Sequence, residues 1–296
     1  MNILRKTRVK HVLCVLTAGI VLILGISVFL DAVCIRTSSY RVSLEGIFAP
    51  LRVVLISDLH GKSFGRDNVR LISKIREQTP DAVFLVGDMI DRTADAADVQ
   101  KLLRLVEALC EIAPVYFAPG NHELTYMQAD ASFLTQVAEA GAVVVNDSYV
   151  DVTIAGQPLR IGGTMGHGFA FGRTEEEFKA SPEYRFLTDF EHTDIPKICL
   201  AHMPDTFIFN GAFLRWDVDL VFSGHTHGGL IRIPFVGGLY APMQEWFPEY
   251  DKGYYRLGPH MQMIITSGLA GYRFIPRVNN PPELVVVELI PDSAEE

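Results

Sequence analysis

The sequence predicts an α/β fold in which two stacked mixed β-sheets are flanked by helices, preceded by one transmembrane helix. Short apolar runs alternate with helical patterns in the first half of the chain, and apolar runs predominate in the second half. An uncharged stretch near the N-terminus, residues 12–30, suggests the membrane helix. With 296 residues, the chain is long enough for one large domain beyond that helix.

The N-terminal stretch has the features of a membrane anchor. It is long enough to cross a hydrocarbon core of about 30 Å as a helix, and it follows four basic residues, Arg5, Lys6, Arg8 and Lys10. Basic flanks stay in the cytoplasm, so we predict a cytoplasmic segment over 1–11, a single-pass anchor over 12–33 in the cell membrane, and an extracytoplasmic domain. The alternative is a cleaved signal peptide, whose apolar region is only about 7–15 residues long.

After the anchor, the sequence predicts a linker over 34–50, a globular domain over 51–290 and an acidic tail over 291–296. Helical spacing of apolar residues predicts helices over 66–78, 99–109 and 131–140. The predicted strands cover 51–57, 81–86, 115–118, 142–145, 149–154, 159–162, 197–201, 220–223, 261–266 and 284–289, with a loop-rich stretch over 228–253.

Charge and cysteine content limit the possible partners. The formal charge of -9 argues against a nucleic-acid partner, because such binding requires basic surface to displace counterions from the phosphate backbone. The four cysteines lack the CxxC spacing of zinc sites. Any metal would therefore be held by His, Asp and Asn side chains.

Five polar clusters follow predicted strands, which is where α/β proteins place ligand sites. The clusters are Asp58-Leu59-His60, Gly87-Asp88-Met89-Ile90-Asp91-Arg92, Gly120-Asn121-His122-Glu123, Ala201-His202-Met203 and Gly224-His225-Thr226-His227. Burying so many ionisable groups without a metal would be costly. Together the clusters predict a metal site.

The residue types in these clusters indicate which metals suit them. Neutral imidazole, carboxylate and amide oxygen form a ligand set for Mn, Fe, Zn or Co rather than for Cu(I) or calcium. Asp58 and His60 are separated by one residue, as are His225 and His227, so on an extended chain each pair points to one side. Each pair can therefore supply two side chains to one site.

In chain order, the clusters read D-x-H, G-D-x-x-D, G-N-H-[DE], H and G-H-x-H. With this pattern, residues 51–289 resemble the calcineurin-like metallophosphoesterases. The anchor and the G-H-T-H-G-G continuation resemble the bacterial membrane-associated branch of that family. The resemblance implies the sandwich fold of metallophosphoesterases.

The resemblance also implies two divalent metal ions, which could be Mn, Fe, Zn or Co. One metal would be held by Asp58, His60 and His227, the second by Asn121, His202 and His225, and the Asp88 carboxylate would bridge them. An Asp suits the bridging position because its two oxygens can neutralise charge between two cations.

Three further residues receive catalytic roles from the resemblance. His122 would donate a proton to the leaving group as the general acid, and Asp91 would orient the His122 imidazole. Arg92 would contact a phosphate oxygen through its guanidinium. Glu123 receives no role as a ligand.

The implied function is a metal-dependent phosphoesterase, in which a metal-bound hydroxide attacks a phosphodiester, phosphomonoester or pyrophosphate. The anchor leads us to expect a phosphorylated small-molecule or lipid-linked substrate at the membrane. One alternative is a broad nucleotide phosphodiesterase or phosphomonoesterase acting on soluble esters. Another is a non-catalytic scaffold with the same fold, in which lost ligands would be expected.

Three features remain open to two interpretations each. Residues 231–240 and 246–247 are unusually apolar for a loop, and they either face lipid or substrate or pack against the domain. Arg273 and Arg277 either bind a second phosphate or head group, or form surface salt bridges. His167 either lines the substrate pocket or is exposed in a loop.

Overall fold

The computed structural model describes residues 2–165, 175–271 and 275–292, so His167 and Arg273 lie outside the described residues. The helices in these ranges are α1 (Asn2–Val33), α2 (Val69–Arg76), α3 (Ala96–Cys110), α4 (Asn121–Tyr126), α5 (Phe133–Glu139), α6 (Glu175–Lys179), α7 (Pro182–Phe190) and α8 (Asp205–Ile208). Short 3₁₀ turns cover Arg66–Asn68, Phe209–Leu214 and His227–Gly229.

The strands belong to two large sheets and two small hairpins. In chain order they are β1 (Arg36–Leu44), β2 (Leu51–Ile56), β3 (Ala82–Val86), β4 (Val115–Ala118), β5 (Val143–Val144), β6 (Ser148–Ile154), β7 (Gln157–Thr164), β8 (Lys197–Ala201), β9 (Leu220–Ser223), β10 (Arg232–Ile233), β11 (Gly237–Gly238), β12 (Tyr240–Ala241), β13 (Glu245–Trp246), β14 (Gly253–Leu257), β15 (Met261–Ile265) and β16 (Glu283–Pro291).

Each large sheet has six strands in mixed orientation. The first has the order β1-β16-β2-β3-β4-β5, in which β2 to β5 are parallel and β16 is antiparallel to β2 but parallel to β1. The second has the order β14-β15-β9-β8-β7-β6, with four parallel strands between two antiparallel edges. The predicted fold of two stacked mixed sheets is confirmed.

Apolar layers lie between the sheets and on both outer faces. Between the sheets, the rings of Phe84 on β3 and Phe222 on β9 have centroids 5.4 Å apart. Helices α2, α3 and α5 cover the first sheet, with Leu71 and Val106 fully buried, and α7 covers the second through Phe190. Each such side chain stabilises the fold by about 1.5–3 kcal/mol. The polar loops at the strand ends are thus carried by a rigid core.

Helix α3 illustrates how local sequence sets an element boundary. The Asp95 carboxylate accepts the backbone N–H of Asp98 at 2.9 Å, and the Asp98 carboxylate accepts the backbone N–H of Asp95. This capping box satisfies N–H groups that the first helical turn leaves unpaired. Val99, Leu102 and Val106 then recur at helical spacing and bury one face against the sheet.

Strand β1 corrects the prediction of a linker over 34–50. Arg36–Leu44 pairs with β16 along its whole length, so the linker prediction is wrong for these residues. The strand was missed because it is an edge strand of mostly polar residues, of which only Val42 and Leu44 are buried. Strand β16 also extends one residue into the predicted tail, to Pro291.

Within the described residues, one segment is long and apolar enough to cross a membrane, Cys14–Asp31 in α1. Only 6% of this segment is buried, so α1 is not a core helix of the domain. The helix ends at Val33 and is followed almost directly by β1. Helix α1 is therefore joined to the first sheet with no long spacer.

Candidate dimetal site

The predicted metal ligands lie where both sheets present the carboxyl ends of their strands. Asp58 follows β2, Asp88 follows β3 and Asn121 follows β4 in the first sheet. His202 follows β8 and His225 follows β9 in the second sheet. Neighbouring parallel strands end at the same edge, so the topology gathers residues from distant parts of the chain.

Among the described residues, ligand atoms gather in three groups, and the atoms of each group lie within 4.8 Å of one another. The groups are Asp58, His60 and His227; His60, Asp88 and His122; and Asp88, His202 and His225. The first group is the set predicted for one metal. The third contains the predicted bridge and two of the ligands predicted for the other metal.

The Asp88 carboxylate lies between these groups. Its Oδ2 is 3.2 Å from Nε2 of His202 and 3.8 Å from Nε2 of both His60 and His122. Its Oδ1 accepts the backbone N–H of His122 at 2.9 Å. Because Asp88 approaches imidazoles from both predicted ligand sets, we propose that it bridges the two metals.

Several donor atoms around Asp88 are buried without a hydrogen-bond partner. Among the predicted ligands they are Nε2 of His60, of His202 and of His225, together with Oδ1 of Asn121. Buried polar atoms are normally hydrogen-bonded, and an unpaired one costs about 1–3 kcal/mol. Divalent cations would use these lone pairs, so the residues present fit the two-metal site that the resemblance implies.

Backbone carbonyls orient two of the imidazoles. Nδ1 of His202 lies 2.9 Å from the carbonyl oxygen of Val86, and Nδ1 of His227 lies 3.1 Å from that of Ala270. A carbonyl only accepts, so in the neutral rings Nδ1 carries the proton and Nε2 keeps its lone pair. These Nε2 atoms lie beside Asp88 and Asp58, at 3.2 Å and 3.7 Å.

The backbone at the ligands has an uncommon conformation. Positive φ angles occur at five of the seven predicted ligands, namely Asp58 (52°), His60 (47°), Asp88 (54°), His225 (68°) and His227 (50°). The ligand pairs are therefore not on extended chain, and the expectation that they are is wrong. Such conformations cost about 1–3 kcal/mol each and cluster at functional sites.

Two glycines permit the close approach of the ligand loops. A Cβ at Gly224 would collide with Ser57 and with the Asp58 carboxylate, and a Cβ at Gly120 would collide with Asp88. Neither position can carry a side chain without moving a predicted ligand. The glycines of the G-H-x-H and G-N-H motifs are thus required by packing around the carboxylates.

Burial keeps three imidazoles neutral. It lowers the pKa of His60 to about 4, and with the nearby Arg277 guanidinium it lowers the pKa of His227 to about 4. Burial, reinforced by His202, also holds the pKa of His225 well below its ordinary value. Neutral imidazole is the form that binds metals.

His202 and Asp88, in contrast, stabilise each other in their charged forms. Burial opposes the protonated form of His202, but the Asp88 carboxylate, together with Asp58 and the Val86 carbonyl, outweighs it and raises the pKa of His202 to about 10. Burial likewise opposes the ionised form of Asp88, yet the imidazoles, His202 foremost, hold the pKa of Asp88 well below its usual range. A metal beside Asp88 would replace this proton, because a histidine must lose it to coordinate.

His122 lines the cleft and lies beside the two other predicted catalytic residues. Its Nδ1 accepts the backbone N–H of Arg92 at 3.2 Å, and one guanidinium nitrogen of Arg92 lies 3.2 Å from its Nε2. The Asp91 carboxylate is 3.9 Å from Nδ1, too far for a hydrogen bond, and accepts from Thr93 instead. The backbone of Arg92, rather than Asp91, therefore sets the ring orientation here.

The family model for calcineurin-like phosphoesterases matches residues 51–229, which include all five motif clusters. The chain belongs to this family. Family membership assigns the domain to the metal-dependent phosphoester hydrolases.

Curated members of the family resemble the chain over most of its length. An uncharacterized metallophosphoesterase of Campylobacter jejuni, Cj0846, is 28% identical over 86% of this chain. A Danio rerio transmembrane protein with a metallophosphoesterase domain is 29% identical over 81%, and the Escherichia coli phosphodiesterase YaeI is 26% identical over 82%. The chain spans 63%, 53% and 83% of these proteins, respectively.

Glu123 has a structural role that its motif alone does not reveal. Its buried carboxylate accepts backbone N–H groups of Asp88 at 2.7 Å, Ile90 at 3.0 Å and Gly120 at 2.7 Å. Burial, with the nearby Asp88 carboxylate, raises the pKa of Glu123 to about 7, while the backbone donors oppose this shift. Glu123 therefore joins the loop that carries Asp88 to the loop that carries Asn121.

A cleft of about 550 Å³ opens onto the ligand groups, and His60 and His122 line it. Lys62 also lines the cleft and was not singled out from the sequence. Its Nζ donates to the carbonyl of Leu269 at 3.3 Å. Burial, with the nearby Arg277, lowers the pKa of Lys62 to about 8. Lys62 thus places a cationic side chain beside the predicted metals.

Neither interpretation of Arg277 is correct. Its guanidinium is buried and donates to carbonyl oxygens of Ala270, Ser267 and Asn280. Ala270 also faces Nδ1 of His227, so Arg277 fixes the loop that orients this predicted ligand. It is a structural residue rather than a surface ion pair or a phosphate ligand.

Replacing Glu123 by Gln should weaken the connection between the loops that carry Asp88 and Asn121. The amide would present an N–H to a backbone N–H, so we expect the free energy of unfolding to fall by about 1–3 kcal/mol and the Mn²⁺ affinity to fall with it. Urea unfolding of the metal-free chain in detergent and equilibrium dialysis against Mn²⁺ measure the two effects.

Glu111→Gln, at an exposed position after α3, serves as the matched control and should change stability by less than about 0.5 kcal/mol. If Glu123→Gln is as stable as the wild type and binds Mn²⁺ equally well, Glu123 does not hold the two loops together.

Proposed function

We propose that the chain hydrolyses a phosphodiester or pyrophosphate that resides in or at the membrane, using two divalent metals at the site around Asp88. The observation that carries this proposal is the set of buried, unpaired donor atoms gathered around that one carboxylate. Within the described residues, no protein group hydrogen-bonds to those atoms. The chemistry of the donors supports Mn, Fe, Zn or Co as the metal.

The proposed residues have two kinds of role, binding the metals and phosphate and donating a proton. When bound, the metals would polarise phosphoryl oxygens and lower the pKa of a water. Asp58, His60 and His227 would hold one metal, Asn121, His202 and His225 the other, with Asp88 between them. His122 would donate the proton to the leaving oxygen, and Arg92 would contact a phosphoryl oxygen through its donors.

Sheet topology supports a position close to the membrane. Strand β16 is antiparallel to β2 and parallel to β1, so β1 begins at the edge where β2 ends and Asp58 follows. Helix α1 ends only three residues before β1. A chain anchored through α1 therefore has its catalytic edge, rather than the opposite edge, next to the bilayer.

A chain of hydrogen bonds connects the anchor with a predicted ligand. The Asp31 carboxylate of α1 accepts the backbone N–H of Asn280 at 3.0 Å, and the Asn280 side chain donates to the carbonyl of His227 at 2.7 Å. Asp31 and Asn280 are both buried. This contact supports a fixed distance between the anchor and the site.

A second, smaller crevice lies between the cleft and α1. Lys62 and Gly271 line the cleft, and both also line this crevice of about 160 Å³ that is bordered by Val28 and Asp31 of α1. We propose that a substrate with its phosphate in the cleft extends past these two shared residues towards α1. The position of the crevice beside α1 favours a lipid-linked substrate. The basic residues before α1 favour an extracytoplasmic domain, to which the outer leaflet would supply that substrate.

The alternative is a broad phosphodiesterase or phosphomonoesterase for soluble esters. The polar residues Asp91, Thr93 and Asp98, which line the cleft, favour it. Preference between soluble and membrane-embedded esters decides between the two proposals.

Replacing His122 by Ala should lower kcat by about 10²–10⁴ on a phosphodiester with an alkoxide leaving group. The loss should be smaller on bis(p-nitrophenyl) phosphate, because p-nitrophenolate leaves without being protonated. Both rates are measured on the full chain after chelation and reloading with Mn²⁺, with p-nitrophenyl phosphate included to compare diester and monoester.

Asp88→Asn should abolish Mn²⁺-dependent turnover of every ester, whereas Asp67→Asn, at an exposed position, should leave it unchanged. Equal losses on both diesters in His122→Ala would contradict a role as general acid. A folded, Mn²⁺-loaded wild type that cleaves none of the esters would contradict the proposed activity.

Replacing Lys62 by Ala should raise KM by about tenfold for a lipid diphosphate or phospholipid in phosphatidylcholine vesicles, the effect of one lost hydrogen bond to a charged group. KM for soluble bis(p-nitrophenyl) phosphate should change less, because this ester does not extend towards α1. Lys101→Ala on α3 is the matched control. Equal changes for both substrates, with no preference for the lipid, would support the soluble-ester alternative.

A further inference from the structure

Two short hairpins beside the site hold apolar side chains in solvent. Phe235 is fully exposed, and Trp246 and Phe247 are 64% and 58% exposed. The interpretation that this segment packs against the domain is therefore wrong for these residues and for Val236, which is 61% exposed. We propose that Phe235, Val236, Trp246 and Phe247, the aromatic hairpin surface, insert into the head-group region of the bilayer that holds α1.

The backbone of the hairpins keeps these side chains turned outward. Phe235 and Phe247 have positive φ angles of 68° and 56°, a conformation that bulky residues rarely adopt. The rings of Tyr240 and Trp246 meet edge to face with centroids 5.5 Å apart. Strained backbone that exposes aromatic rings points to a partner for those rings rather than to a need of the fold.

The hairpins are also fixed to the catalytic edge. The Asp251 carboxylate accepts from the backbone of Gly238 at 2.5 Å and from the Arg232 guanidinium at 2.8 Å, and its carbonyl accepts from the Thr226 hydroxyl at 2.6 Å. Thr226 lies between the predicted ligands His225 and His227. The aromatic hairpin surface and the metal ligands therefore form one rigid unit.

Asn279, next to Asn280, also connects this unit with α1. The backbone N–H of Asn279 donates to the Ser27 hydroxyl of α1 at 2.8 Å, and its side chain donates to the carbonyl of Arg232 at 3.2 Å. Ser27 is four residues, or about 6 Å along the helix, from Asp31, where the apolar segment ends. The first hairpin thus begins beside the last apolar turn of α1. If Cys14–Asp31 spans the bilayer, this turn lies next to the lipid head groups.

The charge of the hairpin segment indicates which lipid surface it suits. Residues 231–249 contain one basic side chain, Arg232, and two acidic ones, Glu245 and Glu249. Attraction to anionic lipid therefore cannot drive the contact, whereas Trp and Tyr rings favour the interface itself. Insertion should occur in zwitterionic phosphatidylcholine and should be insensitive to salt.

Tryptophan fluorescence of the full chain in phosphatidylcholine vesicles tests this proposal without relying on catalysis. The chain has two tryptophans, of which Trp216 is buried in the domain and Trp246 lies on the aromatic hairpin surface. We expect lipid that is brominated near the head group to quench the emission of Trp246, and aqueous iodide not to quench it. In Trp246→Phe, the emission that brominated lipid quenches should be absent.

A second pair of variants separates insertion from simple proximity. Phe235→Ser with Phe247→Ser should expose Trp246 to iodide, whereas Phe48→Ser should not, because Phe48 is equally exposed but follows β1 at the opposite edge of the sheet. Quenching of Trp246 by iodide and not by brominated lipid in the wild type would overturn the proposal. So would a chain that does not co-sediment with the vesicles.

Discussion

The buried carboxylate of Asp88 is the group around which the catalytic edge is built. Transfer of an ionised carboxylate into a protein interior is costly unless nearby charge and hydrogen bonds compensate for it. In the metal-free chain a protonated His202 provides part of that charge. Two further carboxylates, Asp58 and Glu123, are completely buried nearby, so the natural compensation is a pair of divalent cations.

The same constraint explains the strained and tightly packed loops around Asp88. Positive φ angles turn the ligand side chains inward, and glycines let two loops approach within contact of the carboxylates. The Glu123 carboxylate accepts hydrogen bonds from three backbone N–H groups and so joins two of these loops. The stacked sheets supply the stability that offsets this strain, because their apolar layers are completely buried.

Much of the fold could be predicted because the strands that carry ligands are buried, short and apolar, so that composition alone distinguishes them. Strand β1 could not be predicted, because its mostly polar residues pair with β16, more than 200 residues away. No local sequence pattern identifies so distant a partner. The role of Glu123 and the orientation of His122 by the Arg92 backbone likewise depend on contacts between loops. The exposure of Phe235 and Trp246 depends on hairpin conformation rather than on composition.

The most direct test of a two-metal site bridged by Asp88 is the metal content and magnetic coupling of the full chain. Equilibrium dialysis against Mn²⁺ followed by atomic emission should give two Mn per chain, and the electron paramagnetic resonance spectrum should show two exchange-coupled ions. Asp88→Asn should remove the coupling and at least one ion. One Mn per chain, or two uncoupled ions that Asp88→Asn leaves in place, would contradict the account.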